Sequence, residues 1–183
     1  MLKSSVLLLI ALSTLNSLGV GLLGPIYPIF VVNRFSASFV DIGLLYAVFC
    51  LVAAVFKTPA GKLVDVYGEE RVFFIGVMVG AACSLAYIVA SNLMQLYIIE
   101  FFFGISYALQ RPSLLTLVSN LGGKERKGLF LGVFESFYDV AEAIAAVLST
   151  LIASKIGFEP LFLLCSGFQA TTGFFVLKIW KYA

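Results

Sequence analysis

Six apolar runs, divided by short polar connections, fill this chain almost end to end: Ser5–Val32, Phe39–Phe56, Val72–Ala90, Gln95–Val118, Leu129–Ala153 and Leu161–Ile179. A bilayer span needs roughly 20 mostly apolar residues. The runs are too long for barrel strands and lack the alternation of a barrel, so they predict helices. The expected fold is an all-α membrane protein with six transmembrane helices in one domain, residues 1–183. The connections are too short to hold a separate domain, which confines the working surfaces to the membrane interior and the short loops.

Composition agrees. The chain is 61% hydrophobic and 12% charged, with a mean hydropathy of +1.06. A water-soluble domain of this size needs more charge to cover its surface. Met1-Leu2-Lys3 followed by Val6–Leu12 imitates a signal peptide. The apolar stretch nevertheless runs on to Val32 without a small-x-small cleavage site, and is read as a retained helix.

Cys50, Cys83 and Cys165 all fall within the apolar runs. An odd count without CxxC spacing argues against a disulfide framework or a metal site. Histidine is absent, which removes most zinc sites, haem ligation through histidine and histidine proton relays. No cofactor is expected.

Lys and Arg set the orientation. With the N-terminus in the cytoplasm, nine basic residues (Lys3, Lys57, Lys62, Arg71, Lys124, Arg126, Lys127, Lys178 and Lys181) are cytoplasmic and two (Arg34 and Lys155) are external. This is a positive-inside distribution, and it places both termini in the cytoplasm of a multi-pass cell-membrane protein. The basic residues report topology and imply no nucleic-acid partner. The expected surroundings are the lipid bilayer.

The polar residues inside the runs are unevenly spread. Runs three and six are free of charge between Val72 and Ala90 and between Leu161 and Leu177, and are expected to be lipid-facing buttresses. Runs four and five carry Glu100, Arg111, Glu135, Asp139 and Glu142. Charge within a span is costly and usually faces a bundle interior or a watery cavity. Arg111 and Glu135 sit at similar depths, about 12 Å from the same end at 1.5 Å per residue, which predicts an ion pair between runs four and five. Glu135, Asp139 and Glu142 share one helical face. Two carboxyls as close as Asp139 and Glu142 disfavour joint ionisation, and a carboxyl that exchanges a proton in mid-membrane is what proton coupling requires. The alternative is a neutral carboxyl held by the backbone or by Tyr138. Asn16, Tyr27 and Gln110 are further candidates for lining the same cavity as Glu100, Asp139 and Glu142.

Gly19, Gly21 and Gly24 precede Pro25 in run one, a setting for close helix approach and bending. Gly128 and Gly132 are spaced as a small-xxx-small packing face. A short pattern, G-x-E-x-x-F, occurs at Gly68–Phe73 and again at Gly157–Phe162. It suggests two three-helix repeats, about 1–92 and 93–183. An odd number of spans per repeat makes them inverted.

The segment Gly61-Lys62-Leu63-Val64-Asp65-Val66-Tyr67-Gly68-Glu69-Glu70-Arg71 resembles the loop signature of the major facilitator superfamily, G-x-L-x-D-[RK]-x-G-[RK]-[RK]. Gly61, Leu63, Asp65, Gly68 and Arg71 carry the match; Val66, Glu69 and Glu70 stand where basic residues are usual. Gly24-Pro25-Ile26-Tyr27-Pro28 and Glu125-Arg126-Lys127-Gly128 are similar to other family elements. Ala141-Glu142-Ala143 stands where drug/proton antiporters carry Gly-Pro.

The resemblance implies half of a major-facilitator-type bundle. The matched loop would serve as a conformational latch, and a second six-helix half, a copy of this chain or another polypeptide, would be the partner. It implies a secondary active transporter moving a small-molecule substrate by alternating access, with Asp139 and Glu142 as proton-coupling candidates. The alternative is a non-transporting truncated half, or an accessory or regulatory subunit that pairs with another half. An intramembrane enzyme is disfavoured, because both acids lie on one helix and no histidine exists to complete a catalytic set.

Overall fold

The computed structural model describes residues 2–121 and 127–180, and among them seven helices. These are α1 (Leu2–Gly21), α2 (Tyr27–Phe35), α3 (Phe39–Tyr67), α4 (Glu69–Val89), α5 (Leu93–Leu121), α6 (Lys127–Ile156) and α7 (Glu159–Trp180). By length and composition α3 to α7 can cross a membrane. Lys124, Glu125 and Arg126 lie outside the described residues.

The first apolar run is not one helix. It breaks over residues 22–26, where Leu23 N–H and Ile26 N–H make tight turn bonds to Val20 and Leu23 carbonyls. Pro25 has no N–H to give and drives the residue before it out of helical geometry. Pro28 is accommodated because it falls in the first turn of α2, where backbone N–H groups have no helical partner anyway.

Other boundaries follow from local chemistry. Ser38 and Asp41 form a reciprocal capping box at the start of α3. Asn92 accepts from Gln95 N–H at 3.0 Å before α5, and the Gln95 side chain reaches back to Ser91 N–H at 2.7 Å.

The segment 57–67, expected as a loop, is helical. Its charged residues face outward without breaking the backbone ladder, and α3 ends only at Gly68, whose φ of +89° and ψ of +147° lie in a region open essentially to glycine alone. One residue therefore turns α3 into α4. Gly157, at φ +98°, plays the same part between α6 and α7. Five residues after each glycine stands a fully buried phenylalanine, Phe73 or Phe162.

Helix α4 lies against α5 and α7, α1 lies against α6 and α7, and α3 lies against α5. Glycine sets these distances. A Cβ on Gly104 would come within 2.8 Å of the Phe49 carbonyl oxygen, and one on Gly76 within 2.9 Å of the Gln110 side chain. Buried polar groups bridge the same seams. Ser106 Oγ donates to Gly76 O at 2.8 Å, Gln169 Nε2 donates to Gly19 O at 3.3 Å, and Ser17 Oγ donates to Tyr138 O at 2.7 Å. In lipid such bonds contribute about 0.6 kcal/mol each.

Runs three and six, now α4 and α7, are more enclosed by their neighbours in this chain than α3 and α6, yet each keeps an outward apolar face, with Ile75, Leu85 and Val89 on α4 and Leu163, Leu164 and Phe174 on α7. Lack of charge does not separate a helix walled in by protein from one facing lipid, since both are shielded from water. A methyl group placed on Gly128 or Gly132 would meet nothing within 4 Å, so neither glycine packs against another helix among the described residues.

Candidate functional site

The charged residues expected within the spans fall in two places rather than one. The first is a cavity of about 340 Å³ between the α1–α2 break, α3, α4 and α5. Leu23, Gly24, Tyr27 and Pro28 come from the break and the start of α2; Ile42, Tyr46 and Phe49 from α3; Tyr87 from α4; Glu100 and Phe103 from α5. The lining is aromatic and aliphatic apart from one carboxylate and three tyrosine hydroxyls.

Glu100 is 5% exposed. Its Oε1 accepts from Tyr87 Oη at 2.7 Å. Tyr27 packs edge-on to Tyr87, with ring centres 5.4 Å apart, and its buried hydroxyl stands beside Glu100 without a well-formed hydrogen bond. No basic side chain reaches Glu100: the ion pairs among the described residues are Arg34–Glu159 and Arg111–Glu135.

The second place lies between α5 and α6. Arg111 Nη2 is 3.1 Å from Glu135 Oε1, with both side chains about a third exposed. One helical turn beyond Glu135, Asp139 is exposed on α6, and Glu142 lies half-buried against Gly21 of α1. Asp139 and Glu142 do not reach the Glu100 cavity. Gln110 is committed to the α4–α5 seam, where its Nε2 donates to Ser106 Oγ at 2.7 Å and to Gly76 O at 3.3 Å. Asn16 is buried on α1.

Of the five residues matching the loop signature, Gly61, Leu63 and Asp65 lie on the last turns of α3, Gly68 is the turn, and Arg71 lies in the first turn of α4. Asp65 is exposed. At this end of the bundle Asn120 Nδ2 donates to Glu69 Oε1 at 2.7 Å.

Three features have no signal in the sequence. Tyr46, Tyr87 and the phenylalanines of the cavity sit on three different helices, and helical periodicity does not say which neighbours a face will meet. Lys57 Nζ lies 5.0 Å above the Tyr107 ring. At the opposite end from Gly68, Arg34 donates to Ile88 O at 2.9 Å, stands 3.6 Å from Glu159 Oε1 and lies over the Phe30 ring. One side chain thereby joins α2, α4 and α7.

Comparison with known proteins resolves the family. Residues 9–181 match the family model of the Major Facilitator Superfamily. The chain belongs to that superfamily. Together with its long apolar helices, this makes it a multi-pass membrane protein of a transporter family.

It is 28% identical over 148 residues, 81% of its own length and 38% of the other's, to an uncharacterised MFS-type transporter of Methanocaldococcus jannaschii. It is 26% identical over 121 residues, 66% of its own length and 24% of the other's, to multidrug resistance protein 3 of Bacillus subtilis. A third relative, an uncharacterised MFS-type transporter of Bacillus subtilis, is 25% identical over 158 residues, which is 86% of this chain and 95% of that one. The chain thus spans well under half the length of the first two relatives and nearly all of the third.

Proposed function

We propose that this chain works as one six-span half of a secondary transporter, counting α1 and α2 as one broken span, and moves a small solute by alternating access together with a second half. The observation that carries the reading is the cavity holding Glu100 and Tyr27, set beside a broken helix within a superfamily match covering nearly the whole chain. Broken helices at membrane depth commonly mark transport sites, because irregular backbone is tolerated there only where it is buried in protein or lines a cavity.

The second half is supported by the open flanks of α3 and α6, which present Leu44, Leu51 and Val55, and Val140, Ile144 and Val147. A paired pattern supports two inverted repeats: Gly68 and Gly157 both hold positive φ, and Phe73 and Phe162 are both buried. The excess of basic residues on one side, nine to two, supports cytoplasmic termini in the cell membrane. Asp139 is the coupling candidate: it is exposed on an open flank and carries no ion pair among the described residues. Arg111 and Glu135 hold α5 to α6 beside it. The segment from Gly61 to Arg71 is the latch candidate, acting as a helical hairpin.

The test is flux in proteoliposomes. The chain is reconstituted alone and with a co-expressed second half, and uptake of candidate solutes is followed with and without a proton gradient. Flux that falls with Asp139→Asn at unchanged protein level is the expected result. Absence of flux from every pairing overturns the reading in favour of a non-transporting accessory half.

A further inference from the structure

A buried carboxyl either holds its proton or takes a positive partner, and among the described residues no basic side chain reaches Glu100. Arg34 and Arg111 are engaged with other carboxylates, and Lys57 rests on Tyr107. Tyr87 donates to Glu100 Oε1 at 2.7 Å, and the Tyr27 hydroxyl stands beside the same carboxyl; both partners are neutral, so neither supplies a positive charge. Around it stand the rings of Tyr27, Tyr46, Phe49, Tyr87 and Phe103. Aromatic faces attract cations through their quadrupole, and more strongly where water is excluded. A carboxylate at the base of an aromatic cavity supplies the opposite charge and the walls together. A cavity of about 340 Å³ falls at the lower end of the range for small-molecule sites.

We propose that the Glu100 cavity binds a monovalent organic cation, an ammonium with an apolar or aromatic body. The ammonium sits against Glu100 and the apolar body lies along Tyr46, Phe49 and Phe103. An organic anion is disfavoured by the carboxylate, and a neutral sugar by the scarcity of hydrogen-bonding groups on the walls. The inference rests on the transporter reading for its physiological sense, but the binding is measurable without flux.

The probe is radiolabelled benzyltrimethylammonium, equilibrated by dialysis with the purified chain in lipid nanodiscs and with empty nanodiscs as blank. Saturable one-site binding above the blank is expected. Glu100→Gln keeps an acceptor for Tyr87 and removes the charge; it should weaken binding at least about tenfold. Tyr46→Ala removes a ring that is 65% exposed at the cavity rim and should weaken binding about threefold. Neopentylbenzene, the neutral isostere, should not compete at equal concentration. Uptake no greater than that of empty discs, equal binding by a folded Glu100→Gln, or full competition by the neutral isostere overturns the proposal. If Glu100→Gln elutes as aggregate, unchanged binding by Tyr46→Ala overturns it. Binding without flux would sink the transporter reading alone; flux of other solutes without cation binding would sink this inference alone.

Discussion

Tyr87 and Glu100, on helices joined by only three residues, meet through a buried hydrogen bond of 2.7 Å. It fastens the ends of α4 and α5 and fixes the carboxylate at the cavity wall. Tyr87→Phe keeps the ring and removes the donor. The variant is expected to lose about 1 kcal/mol of stability, within the range for interhelical bonds in lipid. Reversible unfolding in mixed detergent micelles measures it. Because Phe preserves the ring packing, any loss reports the hydroxyl alone, and no loss at all would mean that the bond to Glu100 does not support the fold.

Gly104 and Gly128 should respond oppositely to alanine. At Gly104 the new methyl group meets the Phe49 carbonyl oxygen at 2.8 Å and Val52 Cβ at 3.0 Å, so α3 and α5 must part. The expected cost is about 1–3 kcal/mol. At Gly128 the space is open, and alanine should be neutral or gain up to about 1 kcal/mol from helix propensity. The same unfolding assay compares the two, and equal effects would refute the close crossing.

Gly68→Ala should damage the hairpin of α3 and α4 through the backbone itself. The glycine holds φ +89° and ψ +147°, and an L side chain there costs about 1–3 kcal/mol. The readout is a lower unfolding midpoint, together with faster cleavage near residue 68 by added protease. Unchanged protease resistance would show that the turn adopts another geometry.

Arg111 and Glu135 are suited to a charge-swap experiment. Arg111→Glu or Glu135→Arg alone sets like charges side by side, and the double exchange restores attraction. With each side chain about a third exposed, the coupling from a double-mutant cycle should be about 1 kcal/mol or less. A double exchange less stable than the two single changes predict together would overturn the pairing.

The sequence carried the membrane class, the family and the approximate positions of the helices because long apolar runs leave little choice in lipid. It marked Gly24-Pro25 as a place to bend, but not that the helix would open for five residues. The loop signature misplaced the end of α3, since lysine and aspartate change solvation without stopping a helix, whereas Gly68 changes the backbone. Tyr27 and Glu100 were legible as polar outliers in apolar runs. Tyr87 was not, because what distinguishes it is a partner on another helix, and no spacing rule within one helix selects that partner. For the same reason Gly128 and Gly132 looked like a packing face: the motif describes half of a contact, and the other half is not in the run that carries it.

Arg34 draws α2, α4 and α7 together at one rim, as Asn120 and Glu69 join α5 to α4 at the other. Its contacts face solvent and are worth about 1 kcal/mol or less apiece, so Arg34 sets the register of these three ends, while the buried edge-on packing of Phe30 against Phe158 and Phe162 beneath it supplies the cohesion.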